Sequence, residues 1–285
     1  MKNNMPNELI EIIKKALDED IKTGDITTSA CVSQNLMAEG TLLIKQNGVI
    51  AGLKVATAVF NFVDPALLVE MYKKDGDEIK EGEIACKVTG KAVSILTAER
   101  TVLNLLQRMS GIATFAKTFQ DKIKHTKAKI IDTRKTAPGL RYLDKLAVKL
   151  GGCENHRIGL YDMYLIKDNH IEAAGSVSSA IQACKEHKRI TGCKFKIEVE
   201  CSSLRQVEEA LTECVDIIML DNFKTVEMQK AVKLINGRCK VEASGKVNLD
   251  TVKAIAETGV DYISVGALTH SVKAMDISLK IKNIG

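Results

Sequence analysis

Apolar positions along this chain follow two different rhythms. Near the start, Leu9, Ile10, Ile13, Ala16 and Leu17 share one side of a helix over residues 7–18, behind the start signals Pro6 and Asn7. From Met37 the runs shorten into strands. Asn47-Gly48 divides GTLLIK from VIAG, and Asp75-Gly76 divides LLVEMYKK from DEIKEG. Such dipeptides supply the positive φ angles of tight hairpins, so two hairpins are expected. Between them, 54–63 reads as a helix with Val55, Val59 and Phe62 on one side. Glu81-Gly82 and Thr89-Gly90 mark further turns. This predicts an N-terminal α+β domain over 1–110, built on an antiparallel sheet. Thr97 is placed as the N-cap of a helix filled by Val102, Leu103, Leu105, Leu106 and Met109, with Gly111 ending it and a second helix over 114–124.

Further on, the rhythm becomes strand and helix in alternation. Apolar strand cores end at Ile131, Ile166, Val199, Leu220, Ala243 and Val265. The later ones recur at roughly 22 residues, the length of a βα unit, which implies a parallel sheet. Helices are expected at Val177–Lys188, Leu204–Cys214, Val226–Ile235 and Leu249–Glu257, with N-caps at Ser203, Thr225 and Asn248. Residues 111–270 form the expected catalytic barrel, and 271–285 are expected to be a C-terminal helix returning to the N-terminal domain.

Composition narrows the class. With 45% hydrophobic and 27% charged residues the chain is that of an ordinary globular protein. The net charge of +5 is modest, and without Trp or a Lys/Arg tract a nucleic-acid surface is poorly supported. No apolar run reaches membrane-spanning length and the MKNNMPNELIEIIKK start lacks the apolar core of a signal peptide, so a cytoplasmic protein without membrane association is expected. The eight cysteines contain no C-x-x-C pair, which favours buried free thiols over zinc or disulfides.

The candidate chemistry sits where strands end. Ile130-Ile131 runs into Asp132, Thr133, Arg134 and Lys135; Tyr164-Leu165-Ile166 delivers Lys167; Gly151-Gly152 leads to His156 and Arg157. Converging at the catalytic face of a barrel, Arg134, Lys135, His156, Arg157 and Lys167 would make a pocket for a small ligand with several negative charges. Opposite charge appears at the next two exits, Glu200 and Asp221, which could hold Mg²⁺ or ribose hydroxyls, or stabilise positive charge forming at a sugar carbon. The last two exits are small, Ser244-Gly245 and Gly266 with Ala267, as a phosphate cradle requires. Each of these alone could be a solvated charge or an ordinary turn. Together they suggest a sugar phosphate substrate.

In order along the chain, GDITT, LTAERTVLN, LQRMSGIAT, DTRKTAPGLR, GGCENHRIGL, LIKDNH, EVE, MLDN, EASG and ISVGALTHS resemble the quinolinate phosphoribosyltransferase family over nearly the whole chain. The resemblance implies an α/β fold: an N-terminal α+β sheet domain plus an open (incomplete) α/β-barrel of the type II phosphoribosyltransferase kind. It implies a decarboxylating transfer of phosphoribose from phosphoribosyl pyrophosphate (PRPP) to quinolinate in NAD synthesis, with Mg²⁺. It also implies a homodimer, or a higher oligomer of such dimers, in which one subunit's N-terminal domain covers the other's active site. Carried over by residue, Arg134, His156, Arg157 and Lys167 would bind the two quinolinate carboxylates, with Arg100 reaching the pocket from the partner subunit. Lys135 would serve PRPP, Glu200 and Asp221 its ribose and Mg²⁺, and Ser244, Gly245 and Gly266 its 5′-phosphate. Thr133, Lys246, Val265 and Ala267 complete the substrate-binding set, and Lys135, Lys167, Glu200 and Asp221 form the catalytic set. Lys246 stands where the family often has a small or polar residue.

Rival readings are a relative of the kind found with molybdate transport, nicotinate phosphoribosyltransferase, and a carrier or ligand-sensing protein. Retention of Arg100, His156, Arg157 and Lys167 favours a dicarboxylate. The stretch KDGDEIKEGEIACKVTG has hairpins like those of biotinyl and lipoyl carriers but lacks their modifiable Lys setting.

Overall fold

The structure is a computed structural model that describes residues 5–284, so residues 1–4 and 285 of the expected terminal segments lie outside it. In chain order it contains α1 (Asn7–Ile21), α2 (Ile26–Cys31), β1 (Met37–Ile44), β2 (Gly48–Val49), α3 (Leu53–Val63), β3 (Leu68–Met71), β4 (Glu78–Ile79), β5 (Ile84–Lys91) and α4 (Ala92–Ile123). There follow β6 (Lys129–Ile131), α5 (Arg141–Leu150), β7 (Tyr164–Ile166), α6 (Asp168–Ala174), α7 (Val177–Thr191), β8 (Ile197–Cys201) and α8 (Leu204–Thr212). The chain ends with β9 (Ile217–Asp221), α9 (Thr225–Ile235), β10 (Lys240–Ser244), α10 (Val252–Ala256), β11 (Tyr262–Ser264), α11 (Ala267–His270) and β12 (Ile277–Asn283). Two compact units divide it. One takes the chain up to Lys117, Thr136–Gly152 and everything from Leu268; the other takes Thr118–Lys135 and Cys153–Ala267.

The first unit carries an antiparallel sheet ordered β12-β1-β5-β3. β1 alternates buried and half-buried positions along its length, the period of a strand with one face on a core. The expected hairpins do not form. β2 pairs with β4, and β3 with β5, so neither Asn47-Gly48 nor Asp75-Gly76 joins two neighbouring strands. Asp75 instead caps a helix, its carboxylate accepting the N–H groups of Gly52, Leu53 and Lys54 at 2.6, 2.7 and 3.3 Å. Gly52, at the N-cap of α3, has no side chain to do this, so a remote aspartate satisfies the helix's orphan donors.

The expected helix over 271–285 is not found in its described part, residues 271–284. Ile277–Asn283 is β12, an edge strand on β1, paired from Ala38↔Asn283 to Ile44↔Ile277. Nor does Gly111 end a helix, for α4 runs unbroken for 32 residues and contains Thr97 within it. Gly111 is required for another reason: a Cβ there would collide with the carbonyl oxygen of Lys273. The same helix binds its own unit through side chains, with Ser110 Oγ accepting the N–H of Ala51 at 3.0 Å and Thr114 Oγ1 that of Val49 at 2.9 Å.

The second unit is a six-stranded, wholly parallel sheet ordered β6-β11-β10-β9-β8-β7. Consecutive strands are neighbours, with β6 and β7 left as the two ends, so the barrel is open, as the family resemblance implies. Strands covered on both faces explain the apolar runs: Ile218, Leu220, Val199 and Cys201 are fully buried. Ser203 caps α8 as expected, accepting the Gln206 N–H at 3.3 Å. Thr225 is instead the first residue of its helix, and Glu227 accepts the Lys224 N–H that precedes it. Asn248 Oδ1 accepts the N–H groups of Asp250 and Thr251 in the turn before α10. All eight cysteines are free, but only Cys86, Cys153 and Cys201 are buried, while Cys31 and Cys214 are exposed.

One ion pair in the first unit is buried on its acidic side. Arg108 Nε and Nη2 each lie 2.8 Å from an oxygen of Asp144, whose side chain is 0% exposed. Asp144 also accepts the Ala137 N–H at 3.0 Å, and Arg108 donates to the Thr269 carbonyl at 3.4 Å. The pair thus ties α4, α5, the segment after Lys135 and α11 to one another. Asp144→Ala leaves the guanidinium without its fork partner and should destabilise the protein by about 3–5 kcal/mol in urea unfolding. A loss below about 1 kcal/mol would mean the pair is a solvated surface contact.

Candidate active site

The exits of the parallel strands carry the chemistry of the second unit. Beyond β6, Asp132 is fully buried and accepts the backbone N–H of His156 at 2.8 Å. The segment leading to His156 runs beside β6, with Asp132 N–H to Glu154 O at 3.2 Å and Glu154 N–H to Ile130 O at 2.9 Å. This addition of a short stretch of backbone to the open edge of the sheet is what brings His156 and Arg157 to the strand exits. Lys135 is exposed, its N–H donated to Thr133 Oγ1 at 3.1 Å.

Arg157 is 9% exposed and donates to the Met163 carbonyl at 3.1 Å. The loop that carries it is closed by Asp162, which accepts the N–H groups of Ile158 and Gly159 at 2.7 and 2.9 Å. Burial holds the Arg157 pKa below its ordinary value, and the positive charge of Arg134 lowers it further. The Nε atoms of Arg134 and Arg157 are both buried without a hydrogen-bond partner among the described residues. Two like charges close to one another, each with a buried donor, have the chemistry that suits an anion.

Lys167 lies at the exit of β7, its ammonium 4.0 Å from Glu200 Oε2. Glu200 titrates above the ordinary carboxylate range because it is partly buried and because Asp221 adds a second negative charge. These two hard oxygen donors on the neighbouring strands β8 and β9 have the chemistry that suits Mg²⁺. Asp221 is in register with Ser244 on β10. Behind them, Asn222 donates its N–H to the Ser244 carbonyl at 3.0 Å and its Nδ2 to Asp221 Oδ2 at 2.6 Å. Gly245 has φ 99°, and a Cβ there would strike the Asn222 side chain, so only glycine fits. Lys246 follows with φ 50°, a left-handed conformation unusual for a side chain of that size. The Val265 N–H is donated to Ile131 O at 2.9 Å, which places Gly266 and Ala267 next to the β6 exit.

Arg100 belongs to the other unit, exposed on α4. All other residues expected at the site lie in the second unit.

Sequence reasoning missed the acids beneath. His156 Nε2 lies 2.9 Å from Glu198 Oε2 and 3.5 Å from Glu242 Oε2, and both glutamates are 0% exposed. Burial pushes Glu198 up to about 7. Glu242 lies well above the carboxylate range, through burial first and the charge of Glu198 second. The signal was present in the strand period: Glu198 lies two residues before Glu200 and Glu242 two before Ser244, so each shares a face with a residue of the site.

Family models described as the N-terminal and C-terminal domains of quinolinate phosphoribosyl transferase match residues 25–110 and 112–280. The chain belongs to the quinolinate phosphoribosyltransferase family. A chloroplastic nicotinate-nucleotide pyrophosphorylase (carboxylating) of Arabidopsis thaliana is 46% identical over 290 residues, covering 96% of this chain and 83% of that protein. A probable nicotinate-nucleotide pyrophosphorylase (carboxylating) of Bacillus subtilis is 42% identical, covering 94% and 93%. The crystal structure of NadC from Streptococcus pyogenes, 37% identical, superposes with a TM-score of 0.94 over 99% of both chains. Membership of the quinolinate phosphoribosyltransferase family thus spans both units, and the mixed architecture of antiparallel sheet and open parallel barrel is the family's own.

Glu242 has a consequence for stability. Its folded pKa lies above the ordinary 4.5. Below that value both folded and unfolded chains are protonated; above it the unfolded chain ionises first, so wild-type stability falls as pH rises, by up to about 1.4 kcal/mol per pH unit. Glu242→Gln keeps the shape and does not ionise. Its urea midpoint should match wild type near pH 4 and exceed it increasingly toward pH 8. A variant less stable than wild type at pH 8 would mean that Glu242 is an ionised, paired carboxylate.

Proposed function

We infer that this protein transfers the phosphoribosyl group of PRPP to the ring nitrogen of quinolinate, releasing pyrophosphate and CO₂ and forming nicotinate mononucleotide for NAD biosynthesis. Beside family membership, the observation that carries this reading is the pair of buried, partnerless guanidinium nitrogens of Arg134 and Arg157. With His156 and Lys167 they offer enough positive charge for both carboxylates of the acid. A monocarboxylate would leave part of that charge unmatched. Supporting the donor side, the backbone turn at Ser244, Gly245 and Lys246, with Val265, Gly266 and Ala267, suits the 5′-phosphate. Lys135 and Thr133 lie at the β6 exit for PRPP.

In this mechanism the chain binds, orients and balances charge. Glu200 and Asp221 would hold Mg²⁺, which when bound neutralises pyrophosphate. The same carboxylates would stabilise, through their field, the positive charge that builds at the sugar carbon as the bond to pyrophosphate loosens. The quinolinate nitrogen then closes the new bond. Loss of the adjacent carboxylate as CO₂ leaves an electron pair on a ring carbon beside a cationic nitrogen. The substrate is its own electron sink, and a proton completes the product. Arg134, Arg157, His156 and Lys167 hold the ring throughout, and none needs to form a covalent bond.

We further propose a homodimer in which Arg100 enters the partner's site. Its exposed place on a helix of the other unit supports that role. No helix among the described residues is long and apolar enough to cross a membrane, and the free thiols fit a cytoplasmic setting, although the Arabidopsis relative is chloroplastic.

CO₂ released from quinolinate should depend on PRPP and Mg²⁺. Arg100→Ala and Lys167→Ala should each be nearly inactive alone, yet regain activity when mixed, to at most about a quarter of wild type for randomly exchanged dimers carrying one intact site. Pyrophosphate released only with nicotinate would overturn the substrate, and no regain on mixing would overturn the shared site.

A further inference from the structure

His156 is held at its backbone and at its ring. Its backbone N–H is fixed by Asp132, and its Nε2 faces two carboxylates, Glu198 at 2.9 Å and Glu242 at 3.5 Å. The two acids rise from β8 and β10, with one strand between them, so the ring bridges the floor of the barrel. Both glutamates are fully buried. Glu198 Oε1 and both oxygens of Glu242 have no hydrogen-bond partner among the described residues. Such an arrangement is a poor device for stability, because apolar residues of similar size would avoid the desolvation of two acids. Its effect is local. A carboxylate that accepts one ring N–H of a histidine fixes which nitrogen carries the proton and how the ring is turned.

We propose that Glu198 and Glu242 are positioning residues for substrate, acting through His156. Glu198 accepts the Nε2 proton and Glu242 closes the space behind it, so the imidazole is clamped in one orientation with its Nδ1 edge turned away from the acids. Neither glutamate is exposed, so neither meets the ligand itself. Their part is to hold one member of the cationic set at the angle a substrate carboxylate needs. In naming quinolinate as the ligand, the inference rests on the function proposed above. Because β8 also ends in Glu200 and β10 in Ser244, the same two strands carry the clamp below and the donor site above.

The test compares Glu198→Leu, which has no acceptor, with Glu198→Gln, which keeps an oxygen in place, in the full-length protein. Glu198→Leu should raise the KM for quinolinate about tenfold or more while the KM for PRPP stays within about twofold, and Glu198→Gln should fall between. In nitrogen NMR of the imidazoles, with His156 assigned by a His156→Asn variant, the protonated Nε2 signal should survive in Glu198→Gln and disappear in Glu198→Leu. Equal rises for both substrates, or an unchanged ring signal in Glu198→Leu, would overturn the proposal. Should Glu198→Leu not fold, the KM ratio and ring signal of Glu198→Gln carry the same decision, and a wild-type ring lacking a protonated Nε2 would itself be fatal. The three side chains also place ligand atoms within 4.8 Å of one another, as a metal ion would need. A divalent ion that copurifies one per chain, and is lost in Glu198→Gln, would therefore replace the clamp by a metal site. If wild type fails to turn over quinolinate at all, the functional reading falls, while the ring signal still decides whether the clamp exists.

Discussion

Like charge gathered at one place is the constraint on which the second unit turns. The charge of Arg134 lowers the Arg157 pKa, and each arginine keeps a buried nitrogen without a hydrogen-bond partner among the described residues. No fold gains stability from this. It is tolerated because opposite charge lies close by: Glu198 and Asp162 favour the charged form of Arg157, and Glu200 stands beside Lys167. The remaining demand for negative charge is what a ligand supplies. A site that binds an anion tightly must carry some unspent positive charge without it.

Backbone geometry keeps that charge in position. The barrel is open, and its open edge lets the strand-like segment before His156 lie against β6. A closed barrel would leave no such edge. Within the first unit the Arg108–Asp144 fork holds the backbone at Ala137 and the carbonyl of Thr269.

Much of the second unit was legible from its amino acids, because parallel strands buried on both faces are apolar runs and their exits are polar by contrast. Ile131, Ile166, Val199, Leu220 and Ala243 lie in or at the end of observed strands, and the charged residues after Ile131, Ile166, Val199 and Leu220 stand at strand exits. The first unit was less legible for identifiable reasons. Asp75-Gly76 looks like a hairpin turn, but the Asp75 carboxylate serves the distant N-terminus of α3. Gly111 looks like a helix end, yet it is a point of close approach to Lys273. The pairing of β12 with β1 joins residues some 245 apart along the chain, beyond the reach of any local pattern. Glu198 and Glu242 were overlooked because a glutamate next to valine reads as a surface position in a half-exposed strand. In a strand covered on both sides it must point inward.

The central claim is that this pocket is built for two carboxylates rather than one. Calorimetric titration of the wild-type protein with quinolinate and with nicotinate tests it most directly. A second carboxylate meeting Arg134, Arg157, His156 and Lys167 in a partly desolvated site should make quinolinate bind about a hundredfold more tightly or better. Equal affinities for the two acids would contradict the account, since the extra cations would then have no ligand to meet.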